Sequence, residues 1–260
     1  MSHSDQEFFE NPETWDTFTL TPAVKGKIQQ FRVMIPCGVS RILDLGCGNG
    51  VVTNILAHDY KMTGIDFSRS GLGFVQVPKI CASSADLPLR SGGFDLLLCS
   101  ELLEHLEDDD LYKTVKEILR LDLEYILVSV PNNENIHLNE LKCPVCSTIF
   151  NASHHHRAFS RKSLAVLFEG YRIRGSRVGG MFVRNYPLPL LKIKRRWGRR
   201  WFQVPKGRTV MCPRCRSTEF PRSSYSPISF FCDGVNKLIS RRRPYWLTLL
   251  LERESATPEA

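Results

Sequence analysis

The sequence predicts an α/β protein built on a doubly wound, mostly parallel sheet, and three observations carry that prediction. First, the apolar, β-rich run Arg41-Ile42-Leu43-Asp44-Leu45 enters a glycine-rich turn, Gly46-Cys47-Gly48-Asn49-Gly50, and leaves it as the helix-like Val51-Val52-Thr53-Asn54-Ile55-Leu56. A strand, a glycine turn and a helix in that order set backbone N–H groups and a helix N-terminus against a ligand at the carboxyl edge of a sheet. Second, Met62-Thr63-Gly64-Ile65-Asp66 reads as a short strand ending in an acid, placed to accept the ribose hydroxyls of a nucleoside. Third, Phe94 to Cys99 and Tyr125 to Val130 are continuous apolar runs, as strands buried on both faces must be. A dinucleotide fingerprint would need its third glycine at position 51, which is Val51, so the spacing speaks against NAD.

The elements follow in order. Residues 1–36 hold scattered aromatics (Phe8, Phe9, Trp15, Phe18) and then a helix ending near Met34, read as an N-terminal cap segment. Residues 37–130 give five strand signals with interleaved helices, the third element ending at Ser84-Ala85-Asp86. Leu111, Val115, Ile118 and Leu119 have helical spacing behind the acids Glu107 to Asp110, which suit a helix N-terminus. Ser160 is a helix N-cap for a helix reaching Leu167 and Phe168, Tyr171 to Arg174 opens a sixth strand, and Tyr245 to Leu251 forms a seventh. The expected organisation is a sheet domain from 37–183 plus 245–252, an insertion over 184–244, and a tail over 253–260.

A chain of 260 residues suits one such domain with an appendage. No apolar run approaches the roughly 18 residues of a membrane span. The polar, acidic N-terminus lacks the pattern of a secretion signal. Nine cysteines in that setting point to a reducing, cytoplasmic compartment, with metal or free thiols rather than disulfides. The net charge of +8 hides an asymmetry: residues 1–156 carry 12 Lys/Arg against 21 Asp/Glu, and residues 157–260 carry 23 against 6. Such a basic half favours an anionic partner, whether RNA, an anionic membrane surface or a phosphorylated glycan. The stretch Tyr186 to Phe202 mixes six Lys/Arg with Leu, Trp and Phe, a composition that suits either a peripheral contact at the inner membrane face or a nucleic-acid surface.

Cys143-Pro144-Val145-Cys146 and Cys212-Pro213-Arg214-Cys215 have the spacing of zinc knuckles. Each turn offers two thiolates, and two such turns complete a tetrahedral S4 shell around Zn(II). The first pair follows strand five and the second lies between strands six and seven. With strand seven antiparallel, both loops emerge at the carboxyl edge, so the expectation is a zinc-tied flap over the ligand site. Ser147 and Arg216 stand where knuckles usually carry glycine, which leaves open looser knuckles or binding by one pair alone. The other cysteines (Cys37, Cys47, Cys81, Cys99, Cys232) are expected in the core.

Taken together these residues resemble the class I S-adenosylmethionine (SAM) methyltransferases, whose first motif is written D-x-G-x-G-x-G and whose sheet is Rossmann-like with seven strands. The resemblance covers about residues 40–175. It implies SAM as cofactor, with Asp44, Gly46, Cys47, Gly48, Gly50, Asp66, Phe67, Ala85, Asp86 and Ser100 around it, the Ala85-Asp86 pair meeting the adenine. Glu101-Leu102-Leu103-Glu104-His105 resembles the E-x-x-E-H of metal-dependent O-methyltransferases acting on small-RNA 2′-hydroxyls and ubiquinone precursors. His154-His155-His156 stands where those families place a further histidine. The resemblance implies Glu101, Glu104, His105 and His155 as catalytic residues, either around Mg(II) or Mn(II) or with a bare histidine base. Val130-Pro131, Cys-Pro-x-Cys and His-His-Arg-Ala-Phe-Ser, in that order, also look like methyltransferases of bacterial surface-polysaccharide synthesis. No Asn/Asp-Pro-Pro-Tyr/Phe motif of amino-N methylators is present, which favours an oxygen acceptor. Three functions follow as expectations: O-methylation of a sugar hydroxyl on a nucleotide- or lipid-linked glycan, RNA methylation through the basic zinc module, or a zinc-stabilised protein that holds SAM without turnover.

Overall fold

The structure, a computed structural model, describes residues 3–15 and 18–254. Most of the expected tail lies outside the described residues. In chain order the elements are α1 (His3–Glu10), α2 (Pro12–Trp15), α3 (Pro22–Met34), β1 (Arg41–Leu45), α4 (Val51–Leu56), β2 (Lys61–Asp66), α5 (Arg69–Leu72), β3 (Lys79–Cys81) and β4 (Leu96–Ser100). They continue with α6 (Asp108–Arg120), β5 (Tyr125–Pro131), β6 (Glu140–Lys142), β7 (Ile149–Asn151), α7 (Arg161–Ala165), β8 (Tyr171–Arg184), α8 (Leu188–Arg196), α9 (Pro227–Ile239) and β9 (Arg242–Arg253).

Seven strands form one sheet in the order β3-β2-β1-β4-β5-β9-β8. The pairs among β1 to β5 are parallel, whereas β9 runs antiparallel to both β5 and β8. Every residue of β5 is buried, because helices cover both faces of the sheet. On one face Leu43, Leu45, Leu97, Ile126 and Val128 pack under α6 and α7; on the other Ile42, Leu96, Leu98 and Leu127 pack under Ile28 and Phe31 of α3. In α6, Leu111, Thr114, Val115 and Ile118 are buried and three aspartates occupy the first turn, as the helical spacing predicts.

Three details differ from the sequence expectation. No helix joins β3 to β4 among the described residues: Pro88, Gly92 and Gly93 break the segment, and Gly92 has φ 81°. The helix capped by Ser160 stops at Ala165; Ser160 and Ser163 close a reciprocal capping box, and Phe168 enters the core beyond the helix end. Cys99 and Cys232 are buried, but Cys37 and Cys81 are exposed and Cys47 is half-buried, so three of the five cysteines assigned to the core lie outside it. Cys37 sits in the turn before β1 and Cys81 ends the edge strand β3, where there is no second layer to cover them.

Because β9 is reversed, the connection after β5 and the β8–β9 connection leave the sheet at the same edge. They meet there in a small module: β6 and β7 form a two-stranded ribbon, and Leu141, Ala152 and Val210 make a minor core with Phe150, Phe202, Val204 and Phe220. Across the remainder of the β8–β9 connection, α8 and α9 pack on each other through Tyr186, Leu191 and Cys232, pinned by a Lys194–Asp233 ion pair of 2.6 Å.

Candidate active site and cysteine cluster

A cavity of about 710 Å³ opens at the carboxyl edge of β1, β2 and β4. Asp44, Gly46, Cys47, Gly48, Asp66, Phe67, Ser100, Glu101, His105 and His155 line it, which brings together most of the residues singled out in the sequence. A smaller cavity of about 180 Å³ continues past Asp66 and Phe67 to Ser84, Ala85 and Leu102. Asp86 lines neither; it is exposed at the turn beside Ala85. Gly50 also stands off the wall. It caps α4 with φ 73°, a left-handed conformation that a glycine adopts without strain.

The glycine turn is shaped for close approach. A side chain at Gly48 would put its Cβ 2.7 Å from the Trp15 ring, and Gly48 N–H donates to Asp66 Oδ2 at 2.8 Å. Asp66 Oδ1 accepts from Ser68 N–H at 2.9 Å. Trp15 Nε1 donates to Phe9 O at 2.8 Å and Ser68 Oγ at 3.2 Å, so the N-terminal helices lie across the cleft as a cap. Asp44 is 2 % exposed and accepts from Thr53 Oγ1 at 2.6 Å. Burial pushes its carboxyl up to about 7, against the lowering effect of the Thr53 hydrogen bond.

At the end of β4 the chain turns sharply. Glu101 has φ 57°, an unfavourable conformation for a side-chain-bearing residue, and its carboxylate takes Lys27 Nζ at 3.0 Å. Lys27 is only 4 % exposed and rests over the Trp246 ring at 4.4 Å. Glu104 is fully buried, and neither carboxylate oxygen has a hydrogen-bond partner. Burial, with Glu101 nearby, holds its carboxyl well above the usual range. Ligand atoms of Glu104, His105 and His155 all lie within 4.8 Å of one another. Glu101 is not in that group, since Lys27 engages it. His155 Nδ1 is 2.5 Å from Glu134 Oε2, and both side chains are almost fully buried.

Lys27, Glu134, Arg208, Tyr245 and Trp246 are site residues that the sequence reading missed. Lys27 left a signal: it sits three after Val24 and four before Phe31, on the apolar stripe of α3, where a lysine needs a partner. Arg208 comes from the β8–β9 connection with Lys206, Gly207 and Thr209, so that loop forms part of the cavity wall. Its guanidinium donates to Ser153 Oγ at 2.8 Å, and burial lowers its pKa. No periodicity marks Glu134 or Arg208, because both lie in irregular loops.

The four knuckle cysteines converge. Sγ of Cys143 is 3.5 Å from that of Cys215, Sγ of Cys146 is 3.6 Å from that of Cys212, and all four lie within 4.8 Å of each other. A tetrahedral shell with Zn–S of about 2.3 Å has sulfur–sulfur edges near 3.8 Å, so this set fits zinc. The two turns are alike: Ser147 N–H donates to Cys143 O and Arg216 N–H to Cys212 O, with φ of 60° and 61° at Ser147 and Arg216. Both pairs thus form full knuckles despite lacking glycine, at a cost of about 1–2 kcal/mol per turn. Thr148, 3.2 Å from Cys146 Sγ, holds that thiol below its ordinary range.

Residues 43–121 match the family model described as a methyltransferase domain. Among curated proteins, the chain is 27 % identical over 94 residues to the ubiquinone biosynthesis O-methyltransferase of Albidiferax ferrireducens, covering 32 % of this chain and 37 % of that protein. It is 31 % identical over 81 residues to the enzyme of the same name from Chromobacterium violaceum, covering 27 % of this chain and 35 % of that protein. The chain therefore spans little more than a third of the length of these relatives. Of solved structures, a SAM-dependent methyltransferase from Archaeoglobus fulgidus superposes with a TM-score of 0.51 at 16 % identity, over 88 % of this chain and 93 % of that one. The 1,6-didemethyltoxoflavin-N1-methyltransferase of Burkholderia thailandensis, solved with S-adenosylhomocysteine, gives 0.54 at 12 % identity over 96 % and 85 %.

Two predictions follow from this geometry. Purified protein should contain one zinc per chain by elemental analysis; Cys143→Ser should abolish it and lower the melting temperature by several degrees. For Asp44, a folded pKa above the unfolded one favours folding only while the group is protonated. That contribution is complete below the ordinary aspartate value of 3.8 and is lost as pH rises through about 7. Asp44→Asn should therefore gain on the order of 3 kcal/mol over wild type at pH 8 and almost nothing at pH 4, read by urea denaturation. Residues 43–121 thus match a methyltransferase domain, and the seven-stranded sheet that carries them has the fold of the solved SAM-dependent methyltransferases.

Proposed function

We propose that this chain is a SAM-dependent O-methyltransferase whose acceptor is a hydroxyl on an anionic small molecule, a nucleotide- or lipid-linked glycan being the leading class. The observation that carries it is the group Glu104, His105 and His155, whose two histidines line the same cavity as the glycine turn and Asp66, with Glu104 buried behind them.

Gly46 and Gly48 let a ligand approach the backbone, and the Asp66 carboxylate retains lone pairs for ribose hydroxyls after accepting from Gly48 and Ser68. Phe67 and Ala85 then border the adenine end of the cleft, and Ser100 the methionine end. SAM, once bound, supplies a methyl group activated for in-line displacement, so the protein must align the acceptor and take its proton. Glu134 engages one ring nitrogen of His155 and leaves the other to receive the hydroxyl proton, the imidazolium being stabilised by the carboxylate behind it.

Glu104, His105 and His155 also fit a divalent cation such as Mg(II) or Mn(II), because a buried carboxylate with both oxygens unpartnered beside two imidazoles is a donor set short of a cation. Such an ion would polarise the hydroxyl. The Glu134–His155 pair favours the base reading and the Glu104 carboxylate favours the metal one. Lys206 and Arg208 on the cavity wall support an acceptor carrying phosphate or carboxylate.

A methyl-label transfer assay on extract split into RNA, lipid-linked glycan, small-molecule and protein fractions tests this reading. Label should enter a glycan or small-molecule fraction and be lost in Asp66→Ala; label in RNA would establish the nucleic-acid alternative, and SAM binding with no label would leave a binding protein. Mn(II) should raise the melting temperature of wild type but not of Glu104→Gln. Equal turnover in chelator-treated protein would retire the metal and leave His155 as base.

A further inference from the structure

Helix α9 carries its polarity inside out. Its inward positions are Ser229, Cys232 and Asn236, all buried against the α8 layer. Asp233 is bound by Lys194 and Tyr186, and Ser229 Oγ reaches Gly198 O. The opposite side presents Phe231 and Leu238, which are 67 % and 86 % exposed, flanked by Phe230 at 72 %. Positions 231, 234 and 238 fall on one outward stripe, three and four residues apart. Ile239 beyond them, and Trp197 at the end of α8, are also more than half exposed. A surface helix ordinarily turns its charged side to water, so an outward apolar stripe calls for a cover.

The surrounding charge says what the cover is. Residues 184–243 hold 16 Lys/Arg against only Glu219 and Asp233, and Asp233 is already neutralised by Lys194. Lys192, Arg196, Lys237, Arg241 and Arg242 are exposed around the two helices. The stretch from Tyr186 to Phe202, singled out in the sequence for an interfacial contact, turns much of itself inward instead. Tyr186 and Leu191 are buried, Arg195 bonds Glu140, and Phe202 joins the cysteine module. Outward in that stretch remain Leu188, Ile193 and Trp197, and beside them the larger apolar surface is on α9.

We infer that the outward face of α9, with its basic flanks, docks peripherally on an anionic lipid bilayer. Apolar side chains enter the acyl boundary while lysines and arginines meet the headgroups, the arrangement of an in-plane interfacial helix. A second copy of this chain fits less well: a two-fold contact sets a patch against itself, and here that would face basic rim against basic rim. Nucleic acid fits less well too: beside the rings of Phe230 and Phe231 the surface carries Leu238 and Ile239, whose aliphatic chains cannot stack on bases but do enter an acyl layer. Tyr245 and Trp246 of the cavity wall follow α9 within seven residues, which sets them at most about 25 Å from the helix end. This inference stands without the proposed chemistry, since it concerns a surface outside the cavity.

The test is co-flotation of the full zinc-replete chain with vesicles. Wild type should float with equimolar phosphatidylglycerol and phosphatidylcholine, lose that binding at high salt, and stay behind with phosphatidylcholine alone. Phe231→Ser/Leu238→Ser should reduce flotation at least about tenfold with unchanged circular dichroism and melting temperature. Lys237→Glu/Arg241→Glu, which leaves the apolar face intact, should weaken it as well. Absence of flotation, or equal flotation of the double serine variant, overturns the inference. So does a dimer abolished by Phe231→Ser/Leu238→Ser without vesicle binding, which would make a second copy the cover, or an oligoribonucleotide complex lost in that variant.

Discussion

Strand β9 runs backwards between β5 and β8, and the arrangement of the site depends on that reversal. Were β9 parallel, the β8–β9 connection would have to cross the sheet and end at the edge opposite the β5 exit, instead of beginning and ending beside it. With β9 antiparallel, both loops leave beside the glycine turn, and four cysteines separated by some seventy positions come within 4.8 Å. The pairing itself is secured from inside: Ser129 and Thr248 are in register and hydrogen-bonded at 3.2 Å between otherwise apolar neighbours. A shift of one residue would turn these hydroxyls into the hydrocarbon layer, so the pair helps fix the register.

The cysteine cluster then does what a helix layer does elsewhere in the molecule. Its minor core has three fully buried residues, too few to hold a sixty-residue excursion by apolar burial alone. Metal binding supplies the missing folding energy for modules of that size. The consequence reaches the cavity, because Ser153 and His155 follow the first knuckle and Arg208 precedes the second, with Arg208 bonded to Ser153. A zinc ion held by these thiolates would tie together the wall that keeps His155 against Glu134.

How much of this was legible in the chain follows from the physics of each part. The sheet could be read because strands buried on both faces are uniformly apolar and the turn after β1 needs glycines. The knuckles could be read because thiolate pairs have a fixed bite. Asp66, Glu104, His105 and His155 were reachable by resemblance, and the structure brings them to one cavity or its wall. Loop residues such as Glu134 and Arg208 were not legible, since their places depend on where the cysteine module folds back. The inverted polarity of α9 was also hidden: Phe-Phe-Cys and Val-Asn-Lys-Leu-Ile do not say which side of a helix is covered until the neighbours on the inner side are known.

The cavity is built short of positive charge. Asp44, Asp66, Glu101, Glu104 and Glu134 stand in or beside it, and Lys27, Lys206 and Arg208 are the cations that line it. Lys27 pairs with Glu101 alone, so Asp44 and Glu104 are left with carboxyls that burial drives toward the protonated form. Proteins seldom retain buried acids in that state without a use for their charge. A ligand with a net positive centre, such as a sulfonium or a divalent ion, would restore their ionisation and recover the free energy that burial costs them. The same imbalance explains why Lys27 is held over Trp246 and against Glu101: a lysine free to swing among these acids would neutralise the site intramolecularly and compete with its cationic ligand. Its cation–π contact and its one carboxylate partner keep it at the wall. Lys206 and Arg208 line the cavity from the β8–β9 connection, so the proposed reading puts an anionic acceptor on that side and a cationic methyl donor among the carboxylates.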